Sequence, residues 1–222
     1  MNNKCIVCGK KSFEVVWNDK IRSGQKKFTR SKEKILKCKN CGLVFLANKR
    51  KFLENSALAR NMYNKNNSHK EFIKFHRKRE LKKLDSIKNY VEINNKRILE
   101  SNCGFGILLN ILKKKAKSTA GIDSIHYKNK VESNGHSFYL TIDSALKTKK
   151  KYDIIFLFSE LEHKFDPKKF MQKIIKLVSN NGLIILRVPN YQNIYQILLG
   201  KYFYKYDYRT SHNFYFSKNN LS

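Results

Sequence analysis

Long hydrophobic runs are missing from this sequence of 222 residues, which has no stretch of 18 or more apolar residues. A helix that crosses a membrane needs about 20 such residues, so the sequence predicts no membrane span. The opening residues, Met1-Asn2-Asn3-Lys4-Cys5, also lack the apolar core of a secretory signal peptide. We therefore expect a cytoplasmic protein.

Acidic residues are scarce as well: 17 Asp and Glu stand against 47 Lys and Arg, for a formal net charge of +30. Such an excess is typical of proteins that bind nucleic acid or an anionic surface. Arginine, whose planar fork suits phosphates and bases, supplies 9 of these cations against 38 lysines. Together with 24 asparagines spread along the chain, this bias fits an AT-rich genome better. RNA, an anionic membrane surface and an anionic small substrate stay open as partners.

Four of the five cysteines form two Cys-x-x-Cys pairs, Cys5 with Cys8 and Cys38 with Cys41, each followed by a glycine. In a reducing compartment this pattern indicates a metal site rather than disulfides. Four thiolates complete a tetrahedral Zn²⁺ site with no open position, which marks the ion as structural. Apolar segments at 13–17, 35–37 and 42–46 can supply short strands. The sequence thus predicts a zinc ribbon over residues 1–47.

Strand and helix patterns alternate over the rest of the chain. Apolar positions recur at roughly helical spacing over 69–90, so we interpret residues 48–95 as a linker and a covering helix. Five predicted strands follow, at 97–101, 118–122, 137–142, 152–158 and 183–188. Strands that alternate with helices predict a doubly wound, mainly parallel α/β sheet, here within residues 96–222.

The first of these strands runs directly into a glycine-bearing turn, Glu100-Ser101-Asn102-Cys103-Gly104-Phe105-Gly106. Gly104 and Gly106 permit positive φ and let a ligand approach the backbone where no Cβ intervenes. The third glycine of a dinucleotide-binding turn would fall at Leu109, so that fingerprint fits less well. Asp123 ends the second strand, 19 residues after Gly104. A carboxylate at that point can accept hydrogen bonds from both hydroxyls of a ribose.

Together these segments resemble class I S-adenosylmethionine-dependent methyltransferases, whose core is a Rossmann-like sheet. The glycine turn is similar to the family's first motif, with Asn102 in place of the first glycine. Further resemblances lie in Gly121-Ile122-Asp123, in the segment 152–163 that ends in Leu-Glu-His, and in the segment 181–190 that ends in Val-Pro-Asn. A four-cysteine module joined to such a core resembles a subgroup of bacterial sugar- and surface-polysaccharide-tailoring methyltransferases.

The resemblance implies roles for particular residues. The methionine end and backbone of the cofactor would be lined by Glu100, Asn102, Gly104 and Gly106. Asp123 would hold the ribose, and Asp143 would lie near the adenine. Ser159 and Glu160, after the fourth strand, would border the transferred methyl group, on the side of an open α/β sheet where ligands bind.

Two histidines are candidates for the base that deprotonates a hydroxyl acceptor. His163 closes the Leu-Glu-His segment, where a histidine more often orients a loop or caps a helix. His212 opens His-Asn-Phe-Tyr-Phe-Ser, which resembles a His-x-x-Tyr-Phe-Ser segment of sugar methyltransferases. Sugar C-methyltransferases usually carry Tyr-x-Glu before that histidine; Arg209 and Ser211 stand there instead, which favours an oxygen acceptor.

Aromatic and basic residues interleave over 191–208. They could form a lid over a sugar or nucleotide, a stacking platform for single-stranded RNA, or a helix that covers the fifth strand. The family core normally continues past the His212 segment, so we expect a C-terminally shortened member. The leading prediction is an S-adenosylmethionine-dependent O-methyltransferase with a structural zinc ribbon and a sugar or nucleotide-sugar acceptor. An RNA methyltransferase and an inactive remnant that serves as a binding module are the alternatives.

Overall fold

The computed structural model describes residues 4–24, 27–50, 69–200, 202, 204 and 207–221. They belong to two compact units, each built from separated segments of the chain. One unit comprises Met1–Phe52, Ser159–Phe170 and Arg187–Ser222, and the other Leu53–Phe158 and Met171–Leu186. Most of the predicted linker lies outside the described residues. The domain boundaries after residues 47 and 95 therefore stay a prediction.

Eleven strands and six helices are present among the described residues, apart from short 3₁₀ turns. In chain order they are β1 (Phe13–Asp19), β2 (Arg22–Gly24), β3 (Lys27–Phe28), β4 (Glu33–Cys38), β5 (Val44–Leu46), α1 (His69–Asp85), β6 (Arg97–Ser101), α2 (Ile107–Leu112), β7 (Ser118–Ile122), α3 (Lys128–Ser133), β8 (Ser137–Tyr139), α4 (Ile142–Lys147), β9 (Tyr152–Phe158), α5 (Pro167–Ile175), β10 (Val178–Arg187), α6 (Ile194–Leu199) and β11 (Phe214–Tyr215).

The first unit contains a four-stranded sheet in the order β1-β4-β5-β11. All three pairings are antiparallel, and they confirm the strands predicted around the cysteine pairs. The pairing of β11 with β5 was not predicted: Phe214 lies opposite Phe45, and Tyr215 opposite Val44. The core of this unit consists of buried side chains from both ends of the chain, namely Ile21, Ile35, Val44, Leu46, Tyr208 and Tyr215.

The second unit contains the predicted five-stranded sheet, in the order β10-β9-β6-β7-β8. The pairs β6–β7, β6–β9 and β7–β8 are parallel. Backbone bonds of 2.8 Å join Tyr152 to Leu177 and Ser159 to Arg187, so β9 and β10 also run in the same direction. The order reverses between β6 and β9, and such a switch point is where ligands bind in doubly wound sheets. The predicted fold class is confirmed.

An apolar cluster supports this sheet. Ile98, Ile154 and Phe156 of the central strands are buried against Leu108 and Leu109 of α2. Burial of each such side chain stabilises the fold by about 1.5–3 kcal/mol. Leu84 of α1 also packs on the cluster. No helix in the described ranges is both long and apolar enough to cross a membrane.

Several predicted boundaries were wrong. The third strand ends at Tyr139 and not at 142, because Thr141 caps α4 through reciprocal hydrogen bonds with Ser144. The fifth strand was expected to begin at 183, but β10 already begins at Val178. Gly182 lies inside β10, where a Cβ would press against Val178 and the carbonyl oxygen of Tyr152.

Candidate functional site

The four paired cysteines converge in the first unit. Their sulfur atoms all lie within 4.8 Å of one another, with Cys5 and Cys41 3.5 Å apart and Cys8 and Cys38 3.6 Å apart. A tetrahedral ion with metal–sulfur bonds of about 2.3 Å sets its sulfurs about 3.8 Å apart, so the group could hold a metal ion.

The glycine after each cysteine pair allows the tight turn that aims both thiols inward. Gly9 and Gly42 have φ of 72° and 74°, the left-handed region that favours glycine. Their N–H groups donate to the carbonyl oxygens of Cys5 and Cys38, at 2.8 and 2.9 Å. Burial raises the pKa of the Cys41 thiol to about 12. The backbone N–H of Lys10 lowers that of Cys8 to about 7.

In the second unit the glycine turn has the predicted left-handed backbone at three positions. Asn102, Gly104 and Gly106 have φ of 60°, 51° and 67°. Asn102 therefore replaces a glycine without loss of the turn, as asparagine tolerates this region. Its N–H donates to the carbonyl oxygen of Ile122 at 2.8 Å, which ties the turn to the end of β7.

Gly104 and Asp123 are brought into direct contact at this edge of the sheet. The N–H of Gly104 donates to Asp123 Oδ2 at 2.7 Å, and the N–H of Ser124 donates to Oδ1 at 2.6 Å. A Cβ built on Gly104 would meet no atom within 4 Å. The turn therefore borders open space beside a fixed carboxylate, as a ligand that approaches the backbone requires.

Glu100 and Asp143 occupy different environments in the second unit. Glu100 is buried in β6, one residue before the strand ends. Asp143 lies in the first turn of α4, is largely exposed and pairs with Lys173 Nζ at 2.6 Å. The contact of Asp143 with an adenine stays a prediction, and its ion pair with Lys173 does not favour it.

A buried network that the sequence analysis did not identify supports the glycine turn. His136 Nδ1 accepts from Thr119 Oγ1 at 2.6 Å, and its Nε2 donates to Asn110 Oδ1 at 2.9 Å. Burial, with the charge of Lys113 as a smaller cause, lowers the pKa of His136, so the ring is neutral. A Cβ on Gly106 would lie 3.6 Å from this ring, which places His136 directly behind the turn. A lone histidine in the sequence carries no signal of this role.

Ser159 and Glu160 belong to the first unit. Ser159 has φ of 53°, an unusual conformation for serine, and its N–H donates to the carbonyl oxygen of Arg187 at 2.8 Å. Such outliers concentrate at functional sites. Glu160 is buried and pairs with Lys164 Nζ at 2.8 Å. Their proximity to a methyl group stays a prediction.

The two predicted histidines meet in the first unit, although 163 and 212 are far apart in sequence. Their ring centroids are 4.9 Å apart. Both lie beside Glu162, which is 1% exposed on its side chain, and the ligand atoms of the three residues lie within 4.8 Å of one another. Glu162 belongs to the Leu-Glu-His motif, but the sequence predicted no role for it.

Burial sets the charge state of this group. It lowers the pKa of His212 to about 2, with His163 and nearby arginines as smaller causes. It raises the pKa of Glu162 to about 7, to which the charge of Glu160 contributes. His212 is therefore an uncharged imidazole at neutral pH, and a weak base on its own.

Asn213 is fully buried and joins the chain segments that carry Glu162, His163 and His212. Its Nδ2 donates to carbonyl oxygens of Arg50, His163 and Lys164 at 2.7, 3.1 and 3.3 Å. Its Oδ1 accepts from the N–H of Arg50 at 2.8 Å, and its own N–H donates to the carbonyl oxygen of Glu162 at 2.8 Å. This asparagine fixes the backbone of residues 162–164 next to the segment that carries His212, a role that only tertiary structure shows.

The aromatic stretch over 191–208 divides between core and surface, as far as it is described. Tyr208 is completely buried, stacks on Tyr204 at 5.2 Å and lies 5.7 Å from Trp17. Tyr195 and Tyr202 are exposed, and 201, 203, 205 and 206 lie outside the described residues. Tyr208 lies in the core and offers no face to a base, whereas the exposed rings of Tyr195 and Tyr202 do, so an RNA platform stays a prediction.

Comparison with known proteins places the geometry in a family. The chain is 28% identical over 117 residues to the ubiquinone biosynthesis O-methyltransferase of Hydrogenovibrio crunogenus, a match that covers 49% of this chain and 48% of that protein. The chain thus spans about half the length of this curated relative.

Among solved structures, magnesium protoporphyrin IX methyltransferase from Synechocystis PCC 6803, with bound SAH, superposes with a TM-score of 0.50 at 14% identity. This superposition covers 73% of this chain and 78% of that one, and it supports the fold. The family profile described as "Methyltransferase domain" matches residues 75–222. The chain therefore belongs to the methyltransferase domain family.

Proposed function

We propose that the chain transfers a methyl group from S-adenosylmethionine to a hydroxyl of a small molecule, with a sugar or nucleotide-sugar as the acceptor class. The observation that carries the proposal is the contact between Gly104 and Asp123 beside open space, at the carboxyl ends of β6 and β7. The Synechocystis protein was solved with SAH, and we extend that class of ligand to this chain.

The second unit would hold the cofactor through its own backbone and carboxylates. A carboxylate offers about four acceptor sites, so Asp123 can receive backbone N–H groups and also the hydroxyls of a ribose. The turn at Gly104 would admit the methionine end, since no side chain fills the space there. S-adenosylmethionine supplies an already activated methyl group, so alignment of the reacting atoms is the main task of the protein.

A hydroxyl acceptor must also lose its proton. His163 and His212 remain the proposed bases, and Arg209 and Ser211 in place of Tyr-x-Glu favour oxygen over carbon as the acceptor atom. Because burial keeps His212 neutral, its action as a base requires an arrangement that stabilises the proton it gains.

We also propose that the four cysteines bind Zn²⁺ as a structural ion. Their sulfur–sulfur distances fit the tetrahedral site, and four thiolates leave no open position for catalysis. Metal analysis of the purified protein tests this assignment: about one equivalent of zinc supports it, and a folded protein without zinc contradicts it.

Calorimetry with S-adenosylhomocysteine tests the methyltransferase proposal. The wild-type chain should bind, and Asp123→Asn should weaken binding about 10- to 100-fold, because a charged hydrogen bond contributes about 1.5–3 kcal/mol. Asp85→Asn is the matched control, since Asp85 is an exposed carboxylate at the end of α1. A folded wild-type protein that gives no binding heat would support the inactive remnant.

A further inference from the structure

We propose that Glu162, His163 and His212 bind a divalent transition-metal ion, at a site separate from the four cysteines. The ligand atoms of the three side chains lie within 4.8 Å of one another, and all three residues belong to the first unit. A tetrahedral ion with metal–ligand bonds of about 2.0–2.2 Å sets its ligand atoms about 3.3–3.6 Å apart, so the three side chains must rotate toward one another when the ion binds.

Two buried polar atoms point to an absent ligand. Glu162 Oε2 and His212 Nδ1 have no hydrogen-bond partner among the described residues, although both residues are more than nine-tenths buried. An unsatisfied buried polar group costs about 1–3 kcal/mol, and such groups in a native protein call for an explanation. A metal ion that both atoms coordinate removes both costs together.

His163 already has the hydrogen bond that orients a metal ligand. Its Nδ1 lies 2.5 Å from the carbonyl oxygen of Ser211. A carbonyl oxygen can only accept, so Nδ1 carries the proton and Nε2 carries the lone pair. Metal-bound histidines usually donate their second ring nitrogen to such a carbonyl or carboxylate. Nε2 lies 3.9 Å from Glu162 Oε1.

The surrounding charges select the class of metal. The negative charge of Glu160 acts on Glu162, and the positive charges of Arg187 and Arg209 act on it as well. The positive charges of Arg22 and Arg209 act on His212. This environment disfavours Mg²⁺ and Ca²⁺, which prefer several oxygen ligands and depend on a surplus of negative charge. Two imidazoles and one carboxylate suit Zn²⁺, Co²⁺ or Ni²⁺, for which imidazole is a preferred ligand.

Three protein ligands leave coordination positions for water or another oxygen ligand, in contrast to the closed four-cysteine site. The His163 side chain is 34% exposed, so an ion can reach the group from solvent. The site is thus of the open kind. A bound ion occupies the lone pairs of His163 and His212, so the metal site and the proposed role of these histidines as bases are alternatives, whereas cofactor binding at Gly104 and Asp123 is independent of both.

Cobalt binding tests the inference. The probe is Co²⁺ added to full-length protein whose cysteine site is first saturated with Zn²⁺, followed by visible absorption and by metal analysis after gel filtration. We expect one bound Co²⁺ per chain, with ligand-field bands but without the strong near-ultraviolet bands of thiolate-bound cobalt.

Glu162→Gln and His212→Ala should each weaken this binding at least 10-fold, whereas His126→Ala, which removes an exposed histidine, should leave it unchanged. Glu162→Gln keeps the size of the side chain and decides the matter if His212→Ala misfolds. Absence of the second metal equivalent from folded wild type, or its retention in folded Glu162→Gln, would overturn the proposal.

Discussion

Replacement of Asn213 by alanine should destabilise the first unit by about 2–4 kcal/mol. The substitution removes the side-chain bonds to three carbonyl oxygens and to the N–H of Arg50. Each hydrogen bond contributes about 0.5–1.5 kcal/mol net, and the buried groups left behind add their own cost. A change of this size is large, since the whole free energy of unfolding of a domain is about 5–15 kcal/mol.

Trp17 makes this loss measurable, because it is the single tryptophan of the sequence and lies in the same unit, 5.7 Å from Tyr208. Urea unfolding followed by its fluorescence gives the free energy of unfolding of Asn213→Ala and Asn213→Asp. The aspartate keeps the acceptor for Arg50 but presents a carboxylate to three carbonyl oxygens, so it should destabilise at least as much as alanine.

Asn129→Ala, at an exposed position of α3, is the control and should change the free energy by no more than about 0.5 kcal/mol. If Asn213→Ala changes the free energy of unfolding no more than Asn129→Ala does, Asn213 does not hold residues 162–164 to the segment that follows His212. The positions of Glu162, His163 and His212 would then have to be fixed by other contacts.

Four further predictions concern other parts of the molecule. Gly104→Ala should cost about 1–2 kcal/mol through its φ of 51° and weaken S-adenosylhomocysteine binding, because the new methyl group enters the open space. Gly121→Ala should destabilise the fold by about 1–3 kcal/mol, since its Cβ would collide with Cys103 Sγ. Thermal unfolding of both glycine variants measures these losses. The Arg97 guanidinium lowers the pKa of Asp153 well below its usual range, so this pair stabilises the fold above about pH 4 and the contribution fades as pH falls further. Asp153→Asn should therefore flatten the acid side of a plot of melting temperature against pH, and an unchanged slope would contradict the assignment. Cys8→Ser should abolish zinc retention in metal analysis and lower the melting temperature of the first unit, whereas wild-type zinc content in the variant would count against the site.

The central strands were predictable because their sequences are short apolar runs bounded by turns. The bounds of β6, β7 and β9 match the predictions. The prediction failed where a local hydrogen bond overrides periodicity, as at Thr141, which caps a helix so that the strand ends at Tyr139, three residues before its expected end. It also failed at Gly182, where a turn residue lies within a strand.

The candidate sites divide in the same way. Gly104 and Asp123 were predictable because adjacent parallel strands bring their carboxyl ends to one edge of the sheet. Glu162 and Asn213 were not, since their roles arise from contact between segments about 50 residues apart. The His136 network likewise joins positions 110, 119 and 136, which no motif connects.

The pairing of β11 with β5 has a consequence for the order in which the protein is made. During synthesis the cysteine-bearing sheet leaves the ribosome well before the strand that covers the edge of β5, which emerges only after β10. Until then β5 presents unpaired backbone groups to any neighbouring chain, and exposed edges of this kind promote aggregation. An expression fragment that stops after β10 should for this reason self-associate, even though it contains all four cysteines.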